Sequence, residues 1–127
     1  MLKACMLGCA ITLATLGPAL ADGDAANGEK IFKRCAACHA TDGTTNRIGP
    51  HLGGVVGRTA GSVEGFKYSE SMIQHGKDGL VWSNETLSSY LEDPKGFIPK
   101  NKMAFPGLKK PEERADVIAY LDTLSAK

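Results

Sequence analysis

Five consecutive residues constrain this chain more than any others: Cys35-Ala36-Ala37-Cys38-His39. Wound as a helical turn, positions i, i+3 and i+4 share one face, so both sulfurs and the imidazole address one object. Cys-x-x-Cys-His is the attachment sequence for a c-type haem. Two thioether links would fix the macrocycle and hold His39 beneath the iron. Other uses of a cysteine pair fit less well. A thioredoxin-like Cys-x-x-Cys follows a strand in an α/β chain, and no strand pattern appears in this sequence. A zinc site needs a second pair of ligands at finger spacing, yet the only other cysteines, Cys5 and Cys9, fall within the first 21 residues. A simple disulfide has no use for the adjoining His.

Those first residues have their own pattern. Lys3 is followed by an uncharged stretch, 4–21, that closes on Ala19-Leu20-Ala21. A positive start, an apolar centre and A-x-A predict a secretory signal peptide cleaved after Ala21. The protein would then be exported to the periplasm, with residues 22–127 as one haem domain. A retained anchor is the alternative, since the stretch approaches the length of a bilayer span. Gly8, Thr12, Thr15, Gly17 and Pro18 make it weakly apolar for that role. Cleavage leaves 14 basic and 14 acidic side chains, a balance that excludes a strongly basic nucleic-acid binder. Aromatics are only 6% of the chain. A fold so small and so poor in large rings has a thin core, which a non-protein group could fill.

Along the remaining chain the periodicity is helical. Residues 27–35 read as a first helix, capped by Asp24, with Ile31, Phe32 and Cys35 on one face. Residues 40–65 are rich in Gly, Thr, Pro and Asn and predict a long ordered loop. Ser69 to Gly76 predicts two turns of helix from a Ser cap to a Gly stop. Ser83 to Asp93 predicts a further helix ended by Pro94. Residues 94–111, with four prolines and two glycines, are expected to be irregular. Pro111, Glu112 and Glu113 open a last helix, with Val117, Tyr120, Leu121 and Leu124 as its apolar stripe. The expected fold is all-α, three to five helices and long ordered loops wrapped around one haem.

A haem iron has a second axial position, and its occupant decides function. Met72, Met103, His51 and His75 are the candidates, or nothing. Met103 lies between prolines in Ile98-Pro-Lys-Asn-Lys-Met-Ala-Phe-Pro-Gly107, a segment held extended, able to present one side chain at a defined depth. The plain alternative is an ordinary core methionine.

Several stretches together resemble a class I cytochrome c of the mitochondrial type, close to the bacterial cytochromes c2. They are Gly28-Glu-Lys-Ile-Phe32, Cys35–His39, Gly49-Pro-His-Leu52, Gly57-Arg58, Phe66-Lys-Tyr68, Trp82, Tyr90-Leu-Glu-Asp-Pro94, Ile98–Phe105 and Glu113-Arg-Ala-Asp-Val-Ile-Ala-Tyr-Leu121. The resemblance implies haem c bound through Cys35 and Cys38, with His39 and Met103 as the axial pair. It implies that the Pro50 carbonyl accepts the His39 Nδ1 proton. It puts Arg58, Tyr68, Trp82 and Asn101 at the propionates and Tyr90 near the Met103 sulfur. Gly28 and Phe32 would meet Val117 and Tyr120 where the first and last helices cross. The sequence departs from the mitochondrial pattern in four places. One residue fewer separates Phe32 from Cys35, about three extra lie between Tyr68 and Trp82, Phe66 stands for Tyr, and Asn101 for Thr. His51 and His75 have no family role.

With His39 and Met103 both on the iron, no coordination position is open, and the expected function is a one-electron shuttle rather than an enzyme. Lys95, Lys100, Lys102, Lys109 and Lys110 fall within sixteen residues that contain no acid, and Lys33 flanks the haem motif. These lysines predict a basic face around an apolar centre at Phe105 that steers acidic partners. The implied partners are membrane redox complexes, such as a quinol–cytochrome c reductase and a terminal oxidase or reaction centre, met by a monomer. The competing expectation is a haem enzyme or a gas or redox sensor, peroxidase-like, whose sixth ligand is labile.

Overall fold

The computed structural model describes residues 23–124; the predicted leader 1–21 and its cleavage after Ala21 lie outside the described residues. Among the described residues five helices follow in order: α1 Ala25–Phe32, α2 Glu70–Lys77, α3 Asn84–Glu92, α4 Pro94–Phe97 and α5 Pro111–Thr123. No named strand forms among the described residues, and Thr59 and Val81 make an isolated antiparallel bridge. The all-α expectation stands.

Local chemistry explains the helix ends. The Asp24 carboxylate accepts from the Ala26 and Asn27 amides at the start of α1, and Ser69 accepts from Met72 at the start of α2. Ser83 and Thr86 form a reciprocal capping box on α3. Pro111 occupies the first turn of α5, where its missing N–H costs nothing. Two sequence expectations need correction. The 94–111 segment is not wholly irregular: Pro94 ends α3 and also opens α4, with Asp93 accepting from the Gly96 amide. The first helix stops at Phe32, so the cysteine motif follows it on successive turns rather than lying within it.

α1 and α5 cross as the main helix contact. A Cβ at Gly28 would strike the Asp116 carbonyl and come within 2.9 Å of Tyr120 Cβ, so the close approach requires glycine. The Phe32 and Tyr120 rings sit 5.3 Å apart beside it, as the resemblance implied. Phe32, Val117, Ile118 and Leu121 are buried there, each contributing roughly 1.5–3 kcal/mol relative to exposure. Residues 40–69 form a long loop without a named element. It is closed by backbone bonds such as Leu52 N–H to Ala40 O, 2.9 Å, and Trp82 N–H to Arg58 O, 2.9 Å.

Candidate functional site

The turns after α1 bring the motif to the inside of the molecule. His39 N–H donates to Cys35 O at 3.0 Å and Cys38 N–H to the same oxygen at 3.1 Å, so residues 35–39 complete one helical turn. Cys35, Cys38 and His39 all line a cavity of about 280 Å³. The two cysteines are not joined in a disulfide. Burial raises the Cys35 thiol pKa, against the opposing pull of Arg34.

The His39 ring is fixed from two sides. Its Nδ1 lies 2.7 Å from the Pro50 carbonyl; with a proton on Nδ1, the Nε2 lone pair is free for a metal. Burial lowers the His39 pKa, and the Pro50 bond opposes that shift. A ligating imidazole must be neutral, so the direction suits the task. Gly49 packs its backbone on the ring so closely that any Cβ would collide with it.

Met103 lines the cavity together with Tyr90, Ala104 and Phe105. The Tyr90 hydroxyl lies 3.9 Å from Met103 Sδ, in reach of a weak O–H···S contact. Burial pushes the Tyr90 pKa up to about 12, so the hydroxyl keeps its proton. Much of the hydrophobic core turns toward this space: Phe32, Val55, Trp82, Leu87, Leu108, Val117 and Leu121 are both core residues and cavity wall.

The polar side chains on the wall favour an anion. Arg58 donates through Nη1 to the His51 carbonyl at 3.0 Å and forms no ion pair among the described residues. Burial lowers its pKa, and an adjacent carboxylate would reverse that penalty. The Tyr68 oxygen accepts from the Val63 amide at 3.1 Å, which leaves its own proton to donate. Trp82 is 6% exposed, and its indole N–H finds no acceptor among the described residues. An apolar slot with two sulfurs and an imidazole at one side, a thioether in its wall, and unspent donors at Arg58, Tyr68 and Trp82 suits a haem with its propionates.

Asn101 departs from its expected place. It is buried, yet it is not on the cavity wall, and both its amide protons go to the carbonyls of Pro94 and Ile98, each at 2.8 Å. Two protons satisfy two carbonyls, so none remains for a propionate.

The cytochrome c family profile matches residues 25–125. A cytochrome c2 of Agrobacterium tumefaciens is 50% identical over 101 residues, covering 79% of this chain and 91% of that protein. A cytochrome c of Chlamydomonas reinhardtii is 50% identical over 106 residues, 82% of this chain and 92% of that one. Among solved structures, the cytochrome c2 of Rhodospirillum centenum superposes with a TM-score of 0.75 at 40% identity, covering 82% of this chain and all of that one. The chain belongs to the cytochrome c family.

It is a c2-like class I cytochrome c, and membership implies an electron carrier with covalently held haem c. Its surface around the cavity mouth carries Lys102, Arg34, Ala104 and Ile48. Ile48, 79% exposed, escaped sequence reasoning because a lone Ile in a polar loop carries no periodic signal. Met72, one of the candidates for the second axial position, lines the cavity from α2. His51 and His75 do not line it. The His75 Nδ1 lies 2.8 Å from the Ser71 carbonyl on its own helix. The lysines expected to steer partners are exposed, and three of them hold backbone carbonyls: Lys95 on Asn101, Lys102 on Lys67 at 3.1 Å and Lys109 on Glu92 at 2.6 Å. None of Lys33, Lys95, Lys100, Lys102, Lys109 and Lys110 forms an ion pair among the described residues, so their charges stay uncancelled.

Proposed function

We propose that this cytochrome c is a one-electron shuttle, not an enzyme, with one haem c attached through Cys35 and Cys38 and held axially by His39 and Met103. The observation that carries the reading is the pairing, in one cavity, of an imidazole oriented by Pro50 with the Met103 thioether beside Tyr90. When bound, the haem supplies a one-electron redox couple. The chain's residues do the rest. His39, neutral and part-buried, would give a permanent ligand, and Met103 would supply the second, leaving no position for a substrate or gas. Neutral ligands and a buried setting disfavour the extra charge of the oxidised state. Arg58, Tyr68 and Trp82 hold the propionates and balance their charge.

Export to the periplasm with cleavage after Ala21 fits the pattern of residues 1–21. A monomer would meet a quinol–cytochrome c reductase and a terminal oxidase or reaction centre through its basic face, with Phe105 and Ala104 at the apolar centre. Small, quickly dissociating contacts suit such redox encounters.

The decisive measurement on the ferric protein is the weak far-red charge-transfer band of an iron–thioether bond. It is expected to be present, with cyanide binding slowly to the ferric protein and carbon monoxide slowly to the ferrous protein at neutral pH. A missing band with fast ligand binding overturns the carrier reading in favour of a peroxidase-like enzyme or sensor. Docking is tested separately at Lys33 and Lys110, which grip no carbonyl. Lys33→Glu with Lys110→Glu is expected to slow association with an acidic redox partner about tenfold at low salt, the difference shrinking as salt rises. An unchanged on-rate removes the basic face from the account.

A further inference from the structure

Asn101 is 4% exposed, one of three buried polar or charged side chains among the described residues. Its side chain is saturated. Nδ2 donates to the carbonyls of Pro94 and Ile98 at 2.8 Å each, and Oδ1 accepts the Met103 amide proton at 2.8 Å. Its backbone joins the same knot: N–H to Ile98 O at 3.3 Å, and its carbonyl receives the Lys95 ammonium.

We propose that Asn101 is the positioning residue of Met103, holding the thioether at a fixed depth in the cavity; the inference rests on the reading that Met103 is an axial ligand. The segment after α4 has little regular structure of its own. Pro99 and Pro106 lack an N–H, and the chain turns at Lys100 through φ +61°. The Asn101 side chain therefore takes over the work of a helix ladder. It anchors the Met103 backbone, through Oδ1, to the end of α4, through Nδ2. The job needs two donors and one acceptor set in one plane, which a primary amide has and a hydroxyl lacks. Asn at this position, where the mitochondrial pattern has Thr, thus serves the ligand loop rather than a propionate.

The two roles predict opposite results for Asn101→Thr in the ferric holoprotein. A threonine keeps a hydroxyl that could donate to a propionate, but cannot satisfy both carbonyls and the Met103 amide. The Met103 amide would lose its Asn101 partner, and the Pro94 and Ile98 carbonyls would keep only the backbone N–H of Ile98 and of Asn101, which favours opening of the loop. Cyanide is expected to displace the thioether at least about tenfold faster than in wild type. The far-red band should vanish at a denaturant concentration clearly below the loss of helix signal. A wild-type cyanide rate and band in Asn101→Thr, or a band that shifts only in step with the helix signal, overturns the inference. A wild type with no far-red band overturns the ligation reading and this inference with it, so the two failures are distinct. Should the variant not mature, amide exchange in wild type decides. The Met103 N–H is expected to exchange only as fast as the opening that limits cyanide entry, and exchange near the unprotected rate overturns the proposal.

Discussion

The crossing of α1 and α5 and the segment between α4 and α5 are both tightly held, but by different means. At the crossing, side chains meet side chains: Phe32 lies on Tyr120 at 5.3 Å, and Val117 is 2% exposed. In the 98–110 segment, polar side chains bond to backbone instead. Asn101 grips three main-chain groups, Lys109 caps the Glu92 carbonyl at 2.6 Å, and Arg114 donates to the Leu108 carbonyl at 2.9 Å. Apolar packing spreads its energy over many atoms and weakens gradually when one is removed. A polar staple concentrates it, because one deleted partner leaves another group buried and unpaired. The first region can therefore set stability, and the second the geometry of a ligand.

The largest expected effects test that division. Ile98 is fully buried beside the Met103 loop, and Val117 is nearly so in the crossing. Ile98→Ala is expected to cost about 3 kcal/mol and Val117→Ala about 2 kcal/mol in denaturant unfolding. The losses are similar, but only Ile98→Ala should also speed cyanide binding under native conditions. Equal acceleration in both would show that the two regions open as one unit and dissolve the contrast.

A smaller effect is expected from the polar part of the crossing. Asp116 on α5 accepts the Asp24 amide at 2.8 Å and the Asn27 side-chain amide at 2.6 Å, both at the start of α1. These bonds lower its pKa from the ordinary 3.8. The folded state therefore binds this proton less readily than the unfolded chain. The stabilisation is fully present above the ordinary value and is lost as pH falls through the lower, folded-state value. Wild-type melting temperature should drop more steeply below about pH 4 than that of Asp116→Asn. Parallel curves would mean that the latch adds nothing to the crossing.

Sequence reasoning reached the first region better than the second, for a physical reason. Caps at Asp24, Ser69 and Ser83 act on amides two or three residues ahead, so a local pattern betrays them. The stripe of Val117 and Leu121 repeats at the helical period. The placing of His39 beside Pro50 was implied by the family resemblance. The 98–110 segment lacks such signals. Four prolines and two glycines between 94 and 111 hid α4, although Asp93-Pro94 is itself a cap and a first-turn proline. Asn101 was assigned by the resemblance to a propionate, because the partners of a buried amide depend on how the loop closes, not on its neighbours in sequence. Gly49, flat against the imidazole, had only the absence of a side chain to announce it.

The finest probe of the contrast is Lys100, the only non-glycine residue among those described with a positive φ, at 61°. A left-handed backbone costs an L-residue roughly 1–2 kcal/mol, while glycine adopts it freely at an entropic cost of about 0.5–1 kcal/mol in the unfolded chain. Lys100→Gly is therefore expected to stabilise the fold by about 0.5 kcal/mol, read from the denaturant midpoint. Because Asn101, Ile98 and Pro94 keep their hydrogen bonds, the cyanide rate should stay within about twofold of wild type. A stabilised protein with much faster cyanide entry would mean that the strain at Lys100, and not the Asn101 staple, keeps the thioether in place. That single result would move control of the ligand from side-chain hydrogen bonds to backbone conformation, and the two regions would then differ in kind more than they do now.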